Sequence, residues 1–279
     1  MKEDLRGYFH LLWLVGIVLC AIAAVFCTLF VSCSKAPDSA DSARPAAADV
    51  SENAAVSTPD STPEPTPVPT EEPSSTELGP TEDMGAEYLS RFIFLGDSTT
   101  YGMGYYEVMP WSQVWTNELG TMDLSAQSYV TIEVYQDDGS SQTMTIREAV
   151  TSCQPEYLVI TLGLNGISYM EESDFKEEYT DLVGAIQSLS PDTKIICHSM
   201  YPVIDSQAPS GIDNERINRA NTWICDIAAA TGARYLNSHD ILIDESGSLR
   251  EDYCNGDGVH LSPEGFDAVL MNIRTHGYL

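Results

Sequence analysis

A chain of 279 residues, 43% of them hydrophobic, can build one sizeable core but not two large ones. Its formal net charge of -29, with only 13 Lys and Arg, repels nucleic acid and anionic lipid headgroups. No basic patch with interleaved aromatics offsets that field, so a nucleic-acid partner is disfavoured, and strongly anionic substrates need a local feature to override it.

Residues 1–10 form a short polar N-terminus, and Leu11 to Val31 (LLWLVGIVLCAIAAVFCTLFV) carries no charge. That length matches the roughly 20 apolar residues of a membrane-spanning helix and exceeds the roughly 7–15 of a cleaved signal core. Lys2 and Arg6 precede the run and only Lys35 follows closely, so the positive-inside rule puts the N-terminus inside and the rest of the chain outside. A second reading stays open. Phe30-Val31-Ser32-Cys33 resembles a bacterial lipobox, with Cys33 as the lipidated residue and Phe30 in place of the usual leucine. Both readings tether the protein to a membrane with its main domain outside.

From 32 to 87 the chain turns to Ala, Ser, Thr, Pro, Glu and Asp, as in STPDSTPEPTPVPTEEPSSTELGPTED. With so few large apolar side chains it cannot bury enough surface to offset ordering entropy, and its prolines favour extended geometry. It reads as a semi-stiff spacer.

Residues 88–279 read as a folded domain. Apolar runs that alternate with helical patterns predict an α/β fold with a mostly parallel sheet. Strands are expected at Phe92–Leu95, Tyr157–Leu162, Lys194–His198 and Arg234–Asn237. Helices are expected at Phe175–Leu189, at Ile212–Ala230 with Asp213 as its cap, and at Pro263–His276 with Ser262 as its cap. Between the first two strands, Val130 to Ile146 alternates around Asp137-Asp138-Gly139-Ser140, the pattern of an inserted β-hairpin.

Ligands of an open parallel sheet bind beyond the carboxyl ends of its strands. Three strands end there in polar or glycine-rich segments, at 96–100 (GDSTT), 163–166 (GLNG) and 198–202 (HSMYP). A fourth segment, DGVHLS at 257–262, precedes the last helix. Acyl transfer needs a hydroxyl nucleophile, a base, a group that orients the base, and donors for an oxyanion. Ser98, His260, Asp257 and the amide of Asn165 supply that set.

Gly96-Asp97-Ser98, Gly163-Leu164-Asn165 and Asp257-Gly258-Val259-His260, in that order, resemble the sequence blocks of the SGNH, or GDSL-type, hydrolases. The resemblance spans roughly Arg91 to Tyr278 and implies a flavodoxin-like three-layer α/β/α fold. It also implies a serine esterase in which Ser98 attacks, the Asp257–His260 pair activates it, and Ser98 N–H, a glycine N–H and Asn165 hold the oxyanion. The block that should supply the glycine reads Leu124-Ser125-Ala126-Gln127-Ser128-Tyr129 and has none. Ser128 is the first candidate for that donor and Gly120 the second.

Around this core, Asp97, Thr99, Tyr101, Gly163 and His198 are candidates to line the substrate pocket. Tyr101, Tyr105, Tyr106, Trp111 and Trp115 are candidates for a sugar-stacking or acyl-binding wall, or for core. His239 and His276 are expected at the surface. No HExxH motif and no CxxC spacing is present, so no metal or cofactor is expected. Location and family together point to O-acetyl groups on cell-wall or other carbohydrate as substrate. A lysophospholipase or thioesterase, or an inactive flavodoxin-like binding module, is the alternative.

Overall fold

Hydrophobic runs of two to five residues set the centre of the domain, because each is too short for a helix and is bounded by glycine or polar residues. The computed structural model describes residues 76–279. The apolar segment 11–31 and most of the spacer lie outside the described residues; among those described, no helix is long and apolar enough to cross a membrane.

In chain order the elements are α1 (Gly85–Leu89), β1 (Phe92–Leu95), α2 (Ser98–Tyr105), β2 (Val114–Trp115), β3 (Thr131–Tyr135), β4 (Ser141–Thr145) and α3 (Ile146–Cys153). There follow β5 (Tyr157–Ile160), α4 (Glu172–Leu189), β6 (Lys194–His198), α5 (Asn214–Thr231), β7 (Arg234–Leu236) and α6 (Pro263–Thr275). Strands pair in the order β2-β1-β5-β6-β7, every pair parallel. After β1 the chain builds outward to β2 and then crosses back to β5. The loops leaving the carboxyl ends of β1 and β5 therefore diverge, and a crevice opens between them.

Alternate residues of each strand feed two cores, as a pleat requires. Leu158, Ile160, Ile195 and Cys197 pack with apolar residues of α3, α4 and α5. Phe92, Phe94, Val159 and Ile196 pack on the other face with Tyr88 of α1, Met103 of α2 and the Phe266–Ile273 stripe of α6. The result is a three-layer α/β fold with a parallel central sheet. The helix caps are those read from the sequence: Asp213 accepts from Arg216 N–H, and Ser262 accepts from Gly265 N–H with Pro263 at the first turn.

Several boundaries differ from expectation. Strand β2 was not anticipated; two residues leave no periodicity, yet it pairs with β1 and buries Trp115 to 1% exposure, so that ring is core. β5 stops at Ile160 and β7 at Leu236. The hairpin forms, with Thr131 opposite Thr145 and Tyr135 opposite Ser141, and it stands as its own two-stranded sheet.

The spacer ends earlier than 87. Leu78 N–H donates to Tyr235 carbonyl at 2.8 Å, Tyr235 N–H donates to Thr76 carbonyl at 2.9 Å, and Glu77 bridges Tyr235 in parallel. Leu78 is buried, and that apolar anchor in an otherwise polar stretch is what orders it. Thr81 and Met84 N–H then donate to carbonyls at the end of α6, beside an Asp83–Arg274 ion pair. His239 also departs from expectation: it is buried, and its backbone N–H donates to Ser199. Cys153, Cys197, Cys225 and Cys254 are unbonded, with Cys197 fully buried and Cys225 partly so.

Candidate active site

The nucleophile candidate stands where β1 becomes α2. Asp97 caps that helix: one carboxylate oxygen accepts the Thr99 N–H at 3.1 Å and the Thr99 hydroxyl at 3.0 Å. The strand-to-helix turn is tight because Gly96 has no side chain. A Cβ there would fall 2.0 Å from Thr161 Oγ1 and 2.3 Å from Thr100 Oγ1, two hydroxyls bonded to each other. Ser98, in the first turn of α2, is only partly buried, and its N–H is one that a helix start leaves for other partners.

The second part comes from the turn before α6. Asp257 Oδ1 accepts N–H from Val259 and His260, each at 2.8 Å, so the carboxylate ties its own turn. Asn255 Oδ1 accepts Asp257 N–H at 3.0 Å and Cys254 Sγ accepts Gly258 N–H at 3.2 Å, which fixes the turn further. Asp257 Oδ2 is left facing His260 Nδ1 at 2.7 Å. A carboxylate only accepts, so the proton sits on Nδ1 and the lone pair on Nε2. That Nε2 is 2.8 Å from Ser98 Oγ, across 162 positions of sequence. Burial alone would raise the Asp257 carboxyl. The hydrogen bonds from the His260 ring and from the His260 and Val259 N–H groups outweigh it and hold the group well below the ordinary carboxylate range.

Asn165 follows Gly163 at the end of β5. Its Nδ2 donates one hydrogen to the Met122 carbonyl at 2.7 Å, which orients the amide and leaves its second hydrogen. The same bond draws in the loop that carries Gly120. Gly120 is buried with φ +65°, and a Cβ on it would come 3.2 Å from Ser98 Cα and 2.7 Å from Tyr101 Cβ. Ser128 lies instead in an exposed turn after a short 3-10 helix, Leu124–Ala126. Of the two candidates for the missing block, Gly120 is the one against the Ser98 backbone. Its own N–H closes a turn on the Asn117 carbonyl at 3.0 Å.

The pocket candidates divide. Tyr101 is half-buried at the rim beside Ser98. Asp97, Thr99, Gly163 and His198 are interior, and Asp97 Oδ2 and His198 Nδ1 are buried without a hydrogen-bond partner. Burial pushes the Asp97 carboxyl up, against hydrogen bonds from Thr99 and Gly163 that pull it down. His198 Nε2 bonds Ser238 Oγ at 2.8 Å, and burial lowers its pKa to about 3, so the ring is neutral. A cavity of about 10 Å³ lies behind the strand ends, lined by Thr99, Thr161, Leu164, Ser199, Met200 and Tyr201. Met200 and Phe175 close the space behind Gly163, where even a Cβ would meet Met200 Cε at 2.7 Å. Among the described residues no three His, Cys, Asp or Glu side chains converge as metal ligands.

Two contributors escaped the sequence reading. The Met122 carbonyl acts through its backbone and leaves no residue signature. Cys254 carried a faint signal, since a short side chain four residues before a glycine can take its N–H as an Asx residue would.

Residues 94–268 match the family model described as GDSL-like lipase/acylhydrolase. Among solved structures, the chain is similar to a proposed platelet activating factor from Streptococcus pneumonia, at 20% identity over 65% of this chain and 81% of that one, TM-score 0.49. It is similar to a proposed acylhydrolase from Bacteroides fragilis, at 19% identity over 70% and 88%, TM-score 0.49. A GDSL-like lipase from Bacteroides thetaiotaomicron matches at 18% over 67% and 86%, TM-score 0.45. The chain matches no curated protein.

Proposed function

The chain belongs to the GDSL-like lipase/acylhydrolase family and is an ester-hydrolysing serine hydrolase; from that premise we propose that Ser98, His260 and Asp257 form its catalytic triad. The observation that carries this is the continuous line from Asp257 Oδ2 through His260 to Ser98 Oγ, at 2.7 and 2.8 Å. As Ser98 Oγ attacks the ester carbonyl, its proton passes to His260 Nε2, and the fixed Asp257 charge stabilises the imidazolium. The tetrahedral oxyanion takes the Ser98 N–H and the second Asn165 Nδ2–H, with the Gly120 turn shaping the third side. When the intermediate collapses, Nε2–H protonates the leaving alkoxide. Water activated by the same nitrogen then releases the acid from Ser98.

The acyl group is short and the alcohol is a carbohydrate, so the reaction is O-deacetylation of a cell-wall or related glycan. Half-buried Tyr101 beside Ser98 and the exposed ring of Tyr105 support a carbohydrate alcohol. The N-terminal segment 11–31 tethers the domain outside a membrane as a single span, or through lipid on Cys33.

A fluorophosphonate probe followed by peptide mapping tests the nucleophile: label on Ser98 is expected, and label elsewhere or none in intact protein favours a binding module. Rates on p-nitrophenyl acetate, p-nitrophenyl decanoate and O-acetylated polysaccharide test the substrate. A preference for decanoate would move the reading to a lysophospholipase or thioesterase.

A further inference from the structure

One turn beyond Ser98 a row of aromatic rings begins that the triad does not use. Tyr101 meets Trp111 edge-on at 5.3 Å between centroids, and Trp111 meets Tyr135 of the hairpin at 5.5 Å. On the other side Tyr101 stacks with Tyr105 at 6.3 Å, and Tyr105 is 60% exposed. The row is fixed in place: Trp111 lies flat on α2 because Gly104 has no Cβ, which would otherwise fall 2.7 Å from the indole. The antiparallel bridge between Thr116 and Glu133 holds the hairpin beside β2 and so brings Tyr135 to the row. Through Tyr101 and Gly120 this surface is continuous with the Ser98 backbone.

The charge of this wall is one-sided. Between Arg91 and Arg147 the sequence has seven carboxylates, of which Asp97 is buried, and no Lys, Arg or His. Glu118 is close enough to act electrostatically on the Tyr101 hydroxyl. Aromatic faces alone stack on any sugar. Rings with Glu118 beside them add attraction for an ammonium group through the ring quadrupole and by direct charge. An anionic polymer or an anionic lipid surface meets repulsion at the same place.

We propose that the face made by α2, the 117–120 turn and the β3–β4 hairpin is a subsite for a glycan carrying free, protonated amino groups, seated on Tyr101, Tyr105, Trp111 and Tyr135 beside Glu118. This deepens the carbohydrate reading above and rests on it for the substrate class. It assigns a use to the hairpin, which adds no strand to the main sheet and contributes no member of the triad.

Calorimetric titration of the full-length chain with tetrasaccharides of glucosamine, N-acetylglucosamine and galacturonate tests this directly. Glucosamine should bind tightest, by roughly tenfold or more over galacturonate, and the advantage should shrink when salt is raised to about 0.5 M. Tyr105→Ala, at an exposed position that leaves the core untouched, should weaken glucosamine binding about five- to thirtyfold. Glu118→Gln should weaken glucosamine more than N-acetylglucosamine. Equal or tighter binding of the neutral or anionic oligomer, no binding of any, or an unchanged Kd in Tyr105→Ala would overturn the proposal. The two readings fail separately. Ser98 labelled by phosphonate in a chain without amino-sugar preference sinks only this one, and an unlabelled chain that keeps the preference sinks only the triad.

Discussion

Gly120 lies against Ser98, so close that a methyl group on it would sit 3.2 Å from the Ser98 Cα and 2.7 Å from the Tyr101 Cβ. Its φ of +65° adds a backbone conformation that alanine adopts at a cost. Gly120→Ala should therefore push the turn away from the nucleophile. Activity on p-nitrophenyl acetate should fall at least tenfold, with a Tm loss of a few degrees. Ser128→Ala, in its exposed turn, should change kcat less than twofold. The reverse ranking would return the missing block to Ser128.

One hydrogen of Asn165 Nδ2 holds the Met122 carbonyl, and in the proposed site the other takes the oxyanion. Asn165→Ala should lower kcat by roughly 10²–10³ with a smaller change in KM. Asn165→Asp should be worse, because a carboxylate would face the developing negative charge. Steady-state kinetics on a single acetate ester separates the two; an Asp variant better than the Ala variant would remove Asn165 from the oxyanion site.

The turn around Asp257 is arranged so that one oxygen serves the backbone and the other serves the imidazole. Asp257→Asn should place an N–H against Nδ1 and reverse the tautomer, cutting kcat by about 10⁴. The hydrogen bonds that depress the Asp257 carboxyl also carry stability. That contribution is present above the unfolded value of 3.8 and is lost as pH falls through the lower folded value. Acid unfolding below about pH 4 should thus be shallower in Asp257→Asn than in the parent. Identical acid transitions in the two proteins would deny that coupling.

His198 predicts a different pH window. Burial lowers it from 6.5 to about 3, so between those values the unfolded chain binds a proton that the folded chain refuses. Its share of stability is complete above pH 6.5 and is lost progressively on acidification. The Tm drop between about pH 7 and about pH 5 should be smaller in His198→Gln, which keeps a polar end for Ser238. Equal drops in the two proteins would assign the acid sensitivity elsewhere.

What the sequence made legible were features written in side chains with a fixed chemical habit. Glycine after an apolar run, Ser262 followed by Pro263, and Asp257 three residues before His260 each specify their own local geometry, and all recur in the structure where they were read. What it hid was carried by backbone. Two residues, Val114 and Trp115, cannot display a period, so β2 is visible only through its pairing with β1. Ser128 was placed first for the missing donor and Gly120 second; the residue against the Ser98 backbone is Gly120, in a turn closed on Asn117. His239 looked like a loop residue by context, and only the fold shows its backbone engaged by Ser199.

The parallel contact of Glu77 with Tyr235, followed by the anchoring of 81–84 at the close of α6, ties the start of the described chain to the edge strand β7 and to the last helix. Ser98 follows β1, from which β7 is separated by β5 and β6. A pull exerted at Thr76 is therefore received by the sheet's outer edge and the last helix rather than by the β1–α2 turn that carries Ser98.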